Sequence, residues 1–182
     1  MTLAAGHPAS AGTPAQAGPA AIAMNIPTLS LAPPQWAAVQ PAISTAVQTF
    51  TSLAEKVAAT EANLASVDDQ LRCLATAIYY EARSEPVEGQ LAVAQVVRNR
   101  VRSGRFRPSL CGVVYQPSQF PFSRRAPSNR VQWERSVKVA IIAMADGWRD
   151  IVPNALYFHA ARISPRSNRQ RVARIGNNIF YR

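Results

Sequence analysis

The segment from Val87 to Val101 constrains the fold of this chain more than any other feature. Its apolar side chains fall on nearly every face of an α-helix, which predicts a helix buried at the centre of a helical domain. These residues are Leu91, Ala92, Val93, Ala94, Val96 and Val97. Such a helix requires further helices around it, each with one apolar face.

Two other segments have the single apolar face expected of surrounding helices. One begins at Asp68–Asp69, a predicted N-cap, and runs to Ala82. Ser84-Glu85-Pro86 then interrupts it, because proline disfavours helical geometry in the residue before it. The other begins at about Asn129 and stops near Gly147.

The C-terminal part of the chain changes character. Ala155–His159 and Ile179–Tyr181 are aromatic, β-prone runs, with a basic segment and the turn Gly176–Asn178 between them. Residues 104–128 contain four prolines and predict a long irregular loop, of the kind that is usually functional. We therefore predict an α+β domain over residues 67–182, mainly α, with a small C-terminal β-sheet.

The N-terminal third predicts two different segments. Residues 1–34 are rich in Ala, Pro, Gly and Ser and bury too little apolar surface to fold, so they predict a disordered tether. Residues 35–66 predict an amphipathic helix, since one stripe repeats every three or four residues. Such a helix packs on the domain, pairs with another protein or lies on a membrane. Its stripe is Trp36, Val39, Ile43, Val47, Phe50, Ala54 and Val57.

The positive charge is concentrated after residue 71. The whole chain carries a formal charge of +10, and residues 72–182 hold 19 of its 20 Lys and Arg against six of its ten acidic residues. A module this basic attracts polyanions such as nucleic acid, acidic lipid or the anionic polymers of a bacterial wall. The N-terminus has no basic segment followed by a continuous apolar core, so no export signal is visible in this numbering.

Metal and thiol chemistry have little support. His7 and His159 are the only histidines, and neither a His-x-x-x-His nor a Cys-x-x-Cys motif is present, so we predict no metal site and no cofactor. Cys73 with His159 could form a Cys–His peptidase pair. The alternatives are two small buried cysteines, or a disulfide between Cys73 and Cys111 worth about 4 kcal/mol by its loop length.

Glu81 is the leading candidate for an acid. It follows Ile78-Tyr79-Tyr80 at the border of an apolar helix face, just before a chain break. Apolar and aromatic neighbours desolvate the ionised carboxyl and favour a retained proton, which is what glycosidic cleavage requires of a general acid. Most helical carboxylates are nevertheless solvated or ion-paired, so these residues alone leave a structural role open.

Longer motifs resemble the SleB-type cell wall hydrolases, the spore-cortex-lytic family. The resemblance covers about residues 71–182, and its first block is specific. The matching segments are Ala77-Ile-Tyr-Tyr-Glu-Ala-Arg83, Glu88-Gly-Gln90 through Asn99-Arg100-Val101, Cys111 to Pro117 with Gln119-Phe120, Ala155 to His159, and Ile175-Gly176 with Phe180-Tyr181.

The resemblance implies a lysozyme-like fold and cleavage of peptidoglycan between N-acetylmuramic acid and N-acetylglucosamine. It also implies that the family's essential glutamate is Glu81. Some members act as lytic transglycosylases, which close a 1,6-anhydro ring instead of admitting water, and this mechanism suits a site with one carboxylate. The chain departs from the family at Ser84, usually glycine, and at Asn178, usually histidine.

Several other residues are candidates for substrate binding, each with a structural alternative. Glu85 is either a second acid or sugar ligand, or else a partner of Arg83 or a solvated turn residue. Asn99 and Arg100 line the groove, or they cap their helix and bind a carboxylate. Gln119 with Phe120 suits sugar recognition by an amide and an aromatic face. Tyr115, Tyr157 and His159 face either the cleft or the core.

The sequence thus predicts a peptidoglycan-degrading enzyme of the cell envelope, or one delivered by a phage. The alternatives are a non-catalytic basic module that binds walls or nucleic acid, and the Cys–His peptidase. Nucleic acid is disfavoured, because the central helix is too apolar to enter a groove. The basic residues concerned are Arg98, Arg100, Arg102, Arg105, Arg107, Arg162, Arg166, Arg169, Arg171 and Arg174.

Overall fold

The structure is a computed structural model that describes residues 48–120, 126–163 and 168–182. All of these belong to one compact unit, Val47–Arg182. The predicted tether and the part of the predicted helix before residue 48 lie outside the described residues. The elements are α1 (Leu53–Ala59), α2 (Asp69–Ala82), α3 (Val87–Arg102), α4 (Leu110–Val114), α5 (Arg130–Met144), β1 (Tyr157–Ala160), β2 (Arg171–Ile175) and β3 (Asn178–Tyr181).

Helix α3 lies at the centre, as its sequence predicts. Leu91 and Val97 are fully buried, and the helix packs against α1, α2, α4 and α5. Its polar residues bind backbone groups: Gln95 Nε2 donates to the Arg149 carbonyl and Gln95 Oε1 accepts from the Ile151 N–H, both at 3.0 Å. These bonds hold the segment that leads into β1 against α3.

Helix α2 begins and ends where the sequence predicts. The Asp68 carboxylate accepts hydrogen bonds from the backbone N–H groups of Gln70 and Leu71, at 2.9 and 3.0 Å, which caps the first turn. The helix ends at Ala82, and α3 starts directly after Pro86. The end of α2 and the start of α3 therefore form one sharp corner.

Helix α5 packs on both α2 and α3 with Val137 and Ala140 buried. Its cap is Asn129, whose side-chain oxygen accepts from the Gln132 N–H at 3.0 Å. The Asn129 N–H in turn donates to the hydroxyl of the buried Tyr79 at 3.1 Å, which ties the start of α5 to α2.

The predicted irregular loop contains a short helix, α4. Ser109 caps it, and a disulfide joins Cys111 of α4 to Cys73 of α2, with the two Cα atoms 5.1 Å apart. A five-residue helix is too short to show a periodic pattern, and the cap, the disulfide and the burial of Val113 and Val114 in the core stabilise it.

The predicted helix over residues 35–66 is too long. Of its described part, only Leu53–Ala59 is helical, because Ser52 caps its start and Thr60 adopts an extended conformation at its end. Leu53 and Val57 are buried in the core with α3 and α5, whereas Ala54 is exposed. Among the described residues, no helix has both the length and the apolar character needed to cross a membrane.

The three strands form one antiparallel sheet in the order β1-β3-β2. Phe158 pairs with Phe180 across β1 and β3, and their rings stack on the face that packs against α3. The basic segment between the two predicted aromatic strands contains a third strand, β2, which lies at the edge of the sheet and has a bulge between Arg171 and Ala173. The predicted fold class, mainly α with a small C-terminal sheet, is confirmed.

Candidate active site

Glu81 lies where α2, the α2–α3 corner and the sheet meet. It is the last residue but one of α2, and its side chain is half-buried. It borders a cavity of about 590 Å³. The other residues around this cavity are Ser84, Glu85, Ala160, Ala161, Arg162, Arg174, Asn177 and Asn178.

The environment of Glu81 favours the protonated carboxyl. Burial raises its pKa above the usual range, and the positive charge of Arg100 offsets part of that rise. No hydrogen bond or ion pair from the described residues engages the Glu81 carboxyl. Within the described part of the chain, the carboxyl is therefore open to contact with a molecule in the cavity.

Arg100 is a buried cation beside this site. It is 5% exposed, its Nε donates to the Leu156 carbonyl at 2.7 Å, and Nη1 is buried without a partner among the described residues. Its guanidinium lies over the rings of Phe106 and Phe120, 5.1 and 5.3 Å from their centroids. Burial lowers the pKa of Arg100 to about 10, so it stays charged at neutral pH.

Glu85, the second carboxylate at the cavity, is hydrogen-bonded to the turn between β2 and β3. Its Oε2 accepts from the Asn177 backbone N–H at 2.8 Å, and its Oε1 accepts from Asn177 Nδ2 at 3.2 Å. The alternative of a Glu85–Arg83 pair is wrong, because the Arg83 guanidinium lies over the Tyr79 ring instead. Glu85 thus links the α2–α3 corner to the β2–β3 turn.

The β2–β3 turn requires glycine at its tightest point. Gly176 has φ of +55°, in the left-handed region, and a Cβ there would overlap Glu85 Oε2 and lie 3.2 Å from Pro86 Cδ. Asn178 follows, with its side chain 7% exposed on the same face of β3 as Phe180 and at the edge of the cavity. At this position the sequence departs from the histidine that the resemblance implies.

Tyr157 and His159 lie on the face of the sheet opposite Phe158. His159 Nε2 is 2.9 Å from the Tyr181 hydroxyl and Nδ1 is 2.8 Å from the Ala160 carbonyl, with the His159 and Tyr181 rings stacked. Arg169 covers the Tyr157 ring at 3.9 Å from its centroid. Neither of the two predicted residues borders the cavity that contains Glu81.

The remaining predicted residues also lie apart from that cavity. Asn99 is buried and its amide donates to the carbonyls of Val152 and Ala155, at 3.2 and 3.3 Å. Phe120 packs on Arg100, and the Gln119 N–H donates to the Gln116 carbonyl at 3.2 Å. Tyr115 borders a separate groove beside α4. Of the predicted site residues, the structure brings together Glu81 and Glu85.

Both cysteines of the chain are bound to each other, so neither offers a thiolate nucleophile. Since the Cys–His hypothesis requires a free Cys73, it is wrong for this structure. A carboxyl acid is the remaining candidate for chemistry at the cavity.

Arg162, Arg174 and Asn177 border the cavity and are not among the predicted site residues. The two arginines belong only to the general basic surface that the sequence predicts, and Asn177 lies in a predicted turn that gives no indication of its partner Glu85. Arg100, predicted as a groove residue or a helix cap, lies near Glu81 and donates to the Leu156 carbonyl. The excess of arginine over acidic residues after residue 71 was the available signal, since it leaves arginines without protein carboxylates.

The fold is lysozyme-like: a mainly helical domain with a small antiparallel sheet, and here a half-buried glutamate where the two meet. The catalytic domain of the Bacillus cereus SleB protein superposes with a TM-score of 0.51 and 32% identity, over 62% of this chain and 89% of that one. The catalytic domain of a germination-specific lytic transglycosylase, SleB from Bacillus anthracis, gives 0.50 and 28%, over 66% and 100%.

The chain belongs to the Cell Wall Hydrolase family, whose model matches residues 84–181. Glu81 lies just before the matched residues. The chain is 34% identical over 116 residues to the spore cortex-lytic enzyme of Bacillus subtilis, and 32% identical over 117 residues to that of Oceanobacillus iheyensis. Each match covers 62% of this chain, but only 37% and 41% of the relatives, so the chain spans less than half of their length.

Proposed function

We propose that this chain cleaves peptidoglycan glycan strands between N-acetylmuramic acid and N-acetylglucosamine, as a lytic transglycosylase with Glu81 as its single acid and base. The observation that carries the proposal is the difference between the two carboxyls at the cavity. Burial raises the pKa of Glu81, whereas the Glu85 carboxylate already accepts two hydrogen bonds from Asn177.

In the first step the protonated Glu81 gives its proton to the glycosidic oxygen. The bond between that oxygen and C1 of the muramic acid breaks, and positive charge develops on C1 and the ring oxygen. Glu81 becomes a carboxylate at this moment. The nearby charge of Arg100 stabilises that carboxylate, which burial alone would disfavour.

In the second step the Glu81 carboxylate takes the proton of the C6 hydroxyl of the same muramic acid. The freed oxygen attacks C1 and closes a 1,6-anhydro ring, so the reaction consumes no water and returns Glu81 to its protonated form. Two-carboxylate hydrolysis would need a second carboxylate as base or nucleophile. Because both oxygens of Glu85 accept hydrogen bonds from Asn177, Glu85 is a poor candidate for that second base or nucleophile.

Similarity to other proteins supports the proposed reaction and a location in the cell envelope or spore cortex. A structural neighbour at 28% identity is a germination-specific lytic transglycosylase, and the relatives from B. subtilis and O. iheyensis are spore cortex-lytic enzymes. A strand-cleaving enzyme of this family acts in the cell envelope or on cortex peptidoglycan. Net positive charge on residues 72–182 favours contact with such anionic walls.

The decisive experiment digests purified peptidoglycan with the wild type and Glu81→Gln, with mass spectrometry of the products. We expect 1,6-anhydro-muramic ends from the wild type. Removal of the general acid should lower the rate on the order of 10²–10⁴-fold. Glu88→Gln is the matched control, because Glu88 is an exposed carboxyl on the adjacent helix that does not border the cavity.

Digestion in water enriched in heavy oxygen separates the two mechanisms. Reducing ends that contain the heavy isotope would make water the nucleophile and overturn the transglycosylase assignment, while leaving Glu81 as the acid if Glu81→Gln is inactive. A fully active Glu81→Gln variant would refute the role of Glu81 itself.

A further inference from the structure

Two arginines border the same cavity as Glu81. Arg162 follows β1 and Arg174 lies on β2, and both side chains are exposed. They approach the cavity from the sheet, whereas Glu81 approaches it from α2. A sugar next to Glu81 would therefore lie within reach of one or both guanidinium groups.

Within residues 48–120, 126–163 and 168–182, no carboxylate forms an ion pair with these arginines. The ion pairs among the described residues are Arg98–Asp146 and Lys138–Glu134, and neither includes Arg162 or Arg174. Of the other four carboxyls after residue 71, Glu81 forms no ion pair with a described residue, Glu85 binds Asn177, Asp150 accepts from the Val152 N–H, and Glu88 lies outside the cavity. The two arginines are therefore available to an anionic group of a molecule bound in the cavity.

The chemistry of guanidinium narrows the class of that molecule. Its planar fork of N–H donors matches a carboxylate in two parallel hydrogen bonds. N-acetylglucosamine has no ionisable group, whereas N-acetylmuramic acid carries a carboxyl on its lactyl ether. That carboxyl is either free or joined by an amide to a peptide that has carboxylates of its own.

Resting on the proposed function, we propose that Arg162 and Arg174 form a carboxylate-binding subsite that recognises the anionic substituent of the muramic acid next to Glu81. The subsite distinguishes muramic acid from N-acetylglucosamine by charge. It also sets the register of the strand, because an anion held at the sheet fixes which glycosidic oxygen lies beside Glu81. A neutral substituent at the same sugar would lose this contact.

The test measures binding in the Glu81→Gln background, so that it does not depend on cleavage. The probes are amidase-trimmed strands with free lactyl carboxylates, strands that keep their peptides, and both kinds after carbodiimide coupling to methylamine, which neutralises the carboxylates. We expect the charged strands to bind on the order of tenfold more tightly than their neutralised forms. A larger ratio of charged to neutralised affinity for the trimmed strands identifies the lactyl carboxylate as the bound group, and a larger ratio for the strands with peptides identifies a peptide carboxylate.

With Arg162→Gln and Arg174→Gln added, the ratio between charged and neutralised strands should fall to near one. The matched control is Arg130→Gln with Arg171→Gln, which removes the same net charge from exposed positions outside the cavity and should preserve most of the ratio. An unchanged ratio in the cavity variant, or equal losses in both variants, would overturn the subsite. Either result leaves the cleavage assay of Glu81 unaffected, so the two proposals fail independently.

Discussion

Glu85 and Asn177 are 92 residues apart in the sequence and are joined by two hydrogen bonds, of 2.8 and 3.2 Å. This contact connects the corner between α2 and α3 to the turn between β2 and β3. Glu81 lies on one side of it and Asn178 on the other, and all four residues border one cavity. The shape of the cavity therefore depends on the hydrogen bonds between the two carboxylate oxygens of Glu85 and Asn177.

Replacing Glu85 by alanine should destabilise the protein and weaken activity together. Loss of both bonds leaves the Asn177 donors to water, and we expect the free energy of unfolding to fall by about 1–2 kcal/mol. Chemical denaturation of the variant measures this. Glu88→Ala removes an exposed carboxyl from α3 and is the control. Equal destabilisation by the two variants would contradict a specific role for the Glu85–Asn177 contact.

Gly176→Ala should lower the free energy of unfolding more than an alanine substitution at another glycine with positive φ. Gly104 has φ of +66° and free space around an added Cβ, so Gly104→Ala measures the backbone cost alone, about 1 kcal/mol. At Gly176 the added Cβ also overlaps Glu85 Oε2, and we expect a further loss of about 1–3 kcal/mol. Thermal unfolding of the two variants gives the difference. Similar losses would show that the turn moves away from Glu85 without cost.

Arg100→Gln should shift the pH dependence of cleavage. A general acid must be protonated, so activity falls as the pH rises through the pKa of Glu81. Because Arg100 lowers that pKa, its removal should raise it and move the basic limb of the kcat/KM profile to higher pH. Arg100→Lys keeps a positive charge, so the basic limb of its kcat/KM profile should lie at a pH closer to that of the wild type. An unmoved limb in Arg100→Gln would show that Arg100 has a structural role only.

The disulfide between Cys73 and Cys111 closes a loop with a sequence separation of 38 residues. Its removal by Cys73→Ala with Cys111→Ala should lower the free energy of unfolding by about 4 kcal/mol, since the unfolded chain gains freedom. Thermal unfolding with and without reductant measures this. The wild type should lose stability on reduction and the double variant should not. If reduction leaves the wild type unchanged, the bond contributes no net stability.

The long periodic elements could be predicted from the sequence because their signals are local. The central position of α3, which is apolar on nearly every face, and the Asp68 cap of α2 followed from residue spacing and cap chemistry. The same periodicity misled at residues 35–66, where the apolar stripe includes Phe50 although α1 begins only at Leu53. Strand β2 escaped prediction because its arginines suit an exposed edge strand and a basic loop equally well.

The sequence points to Glu81, which the structure places at the cavity, but it does not predict the residues that surround Glu81 there. Glu81 is marked by its own apolar neighbours along α2. The partners of Glu85 and Asn99 lie 92 and more than 50 residues away and are partly backbone groups, which have no sequence signature. Residue type suggested that His159, Tyr157 and Phe120 bind substrate, whereas in the structure they contact Tyr181, Arg169 and Arg100 respectively.

The strand order β1-β3-β2 has a consequence for how the wall of the cavity is completed. Strand β3 is the middle strand, yet it follows both of its neighbours in the chain. The helices and Glu81 come earlier in the chain, whereas Asn177 directly precedes β3 and Asn178 begins it. The wall of the cavity that contains these two asparagines is therefore complete only once β3 has paired with both β1 and β2.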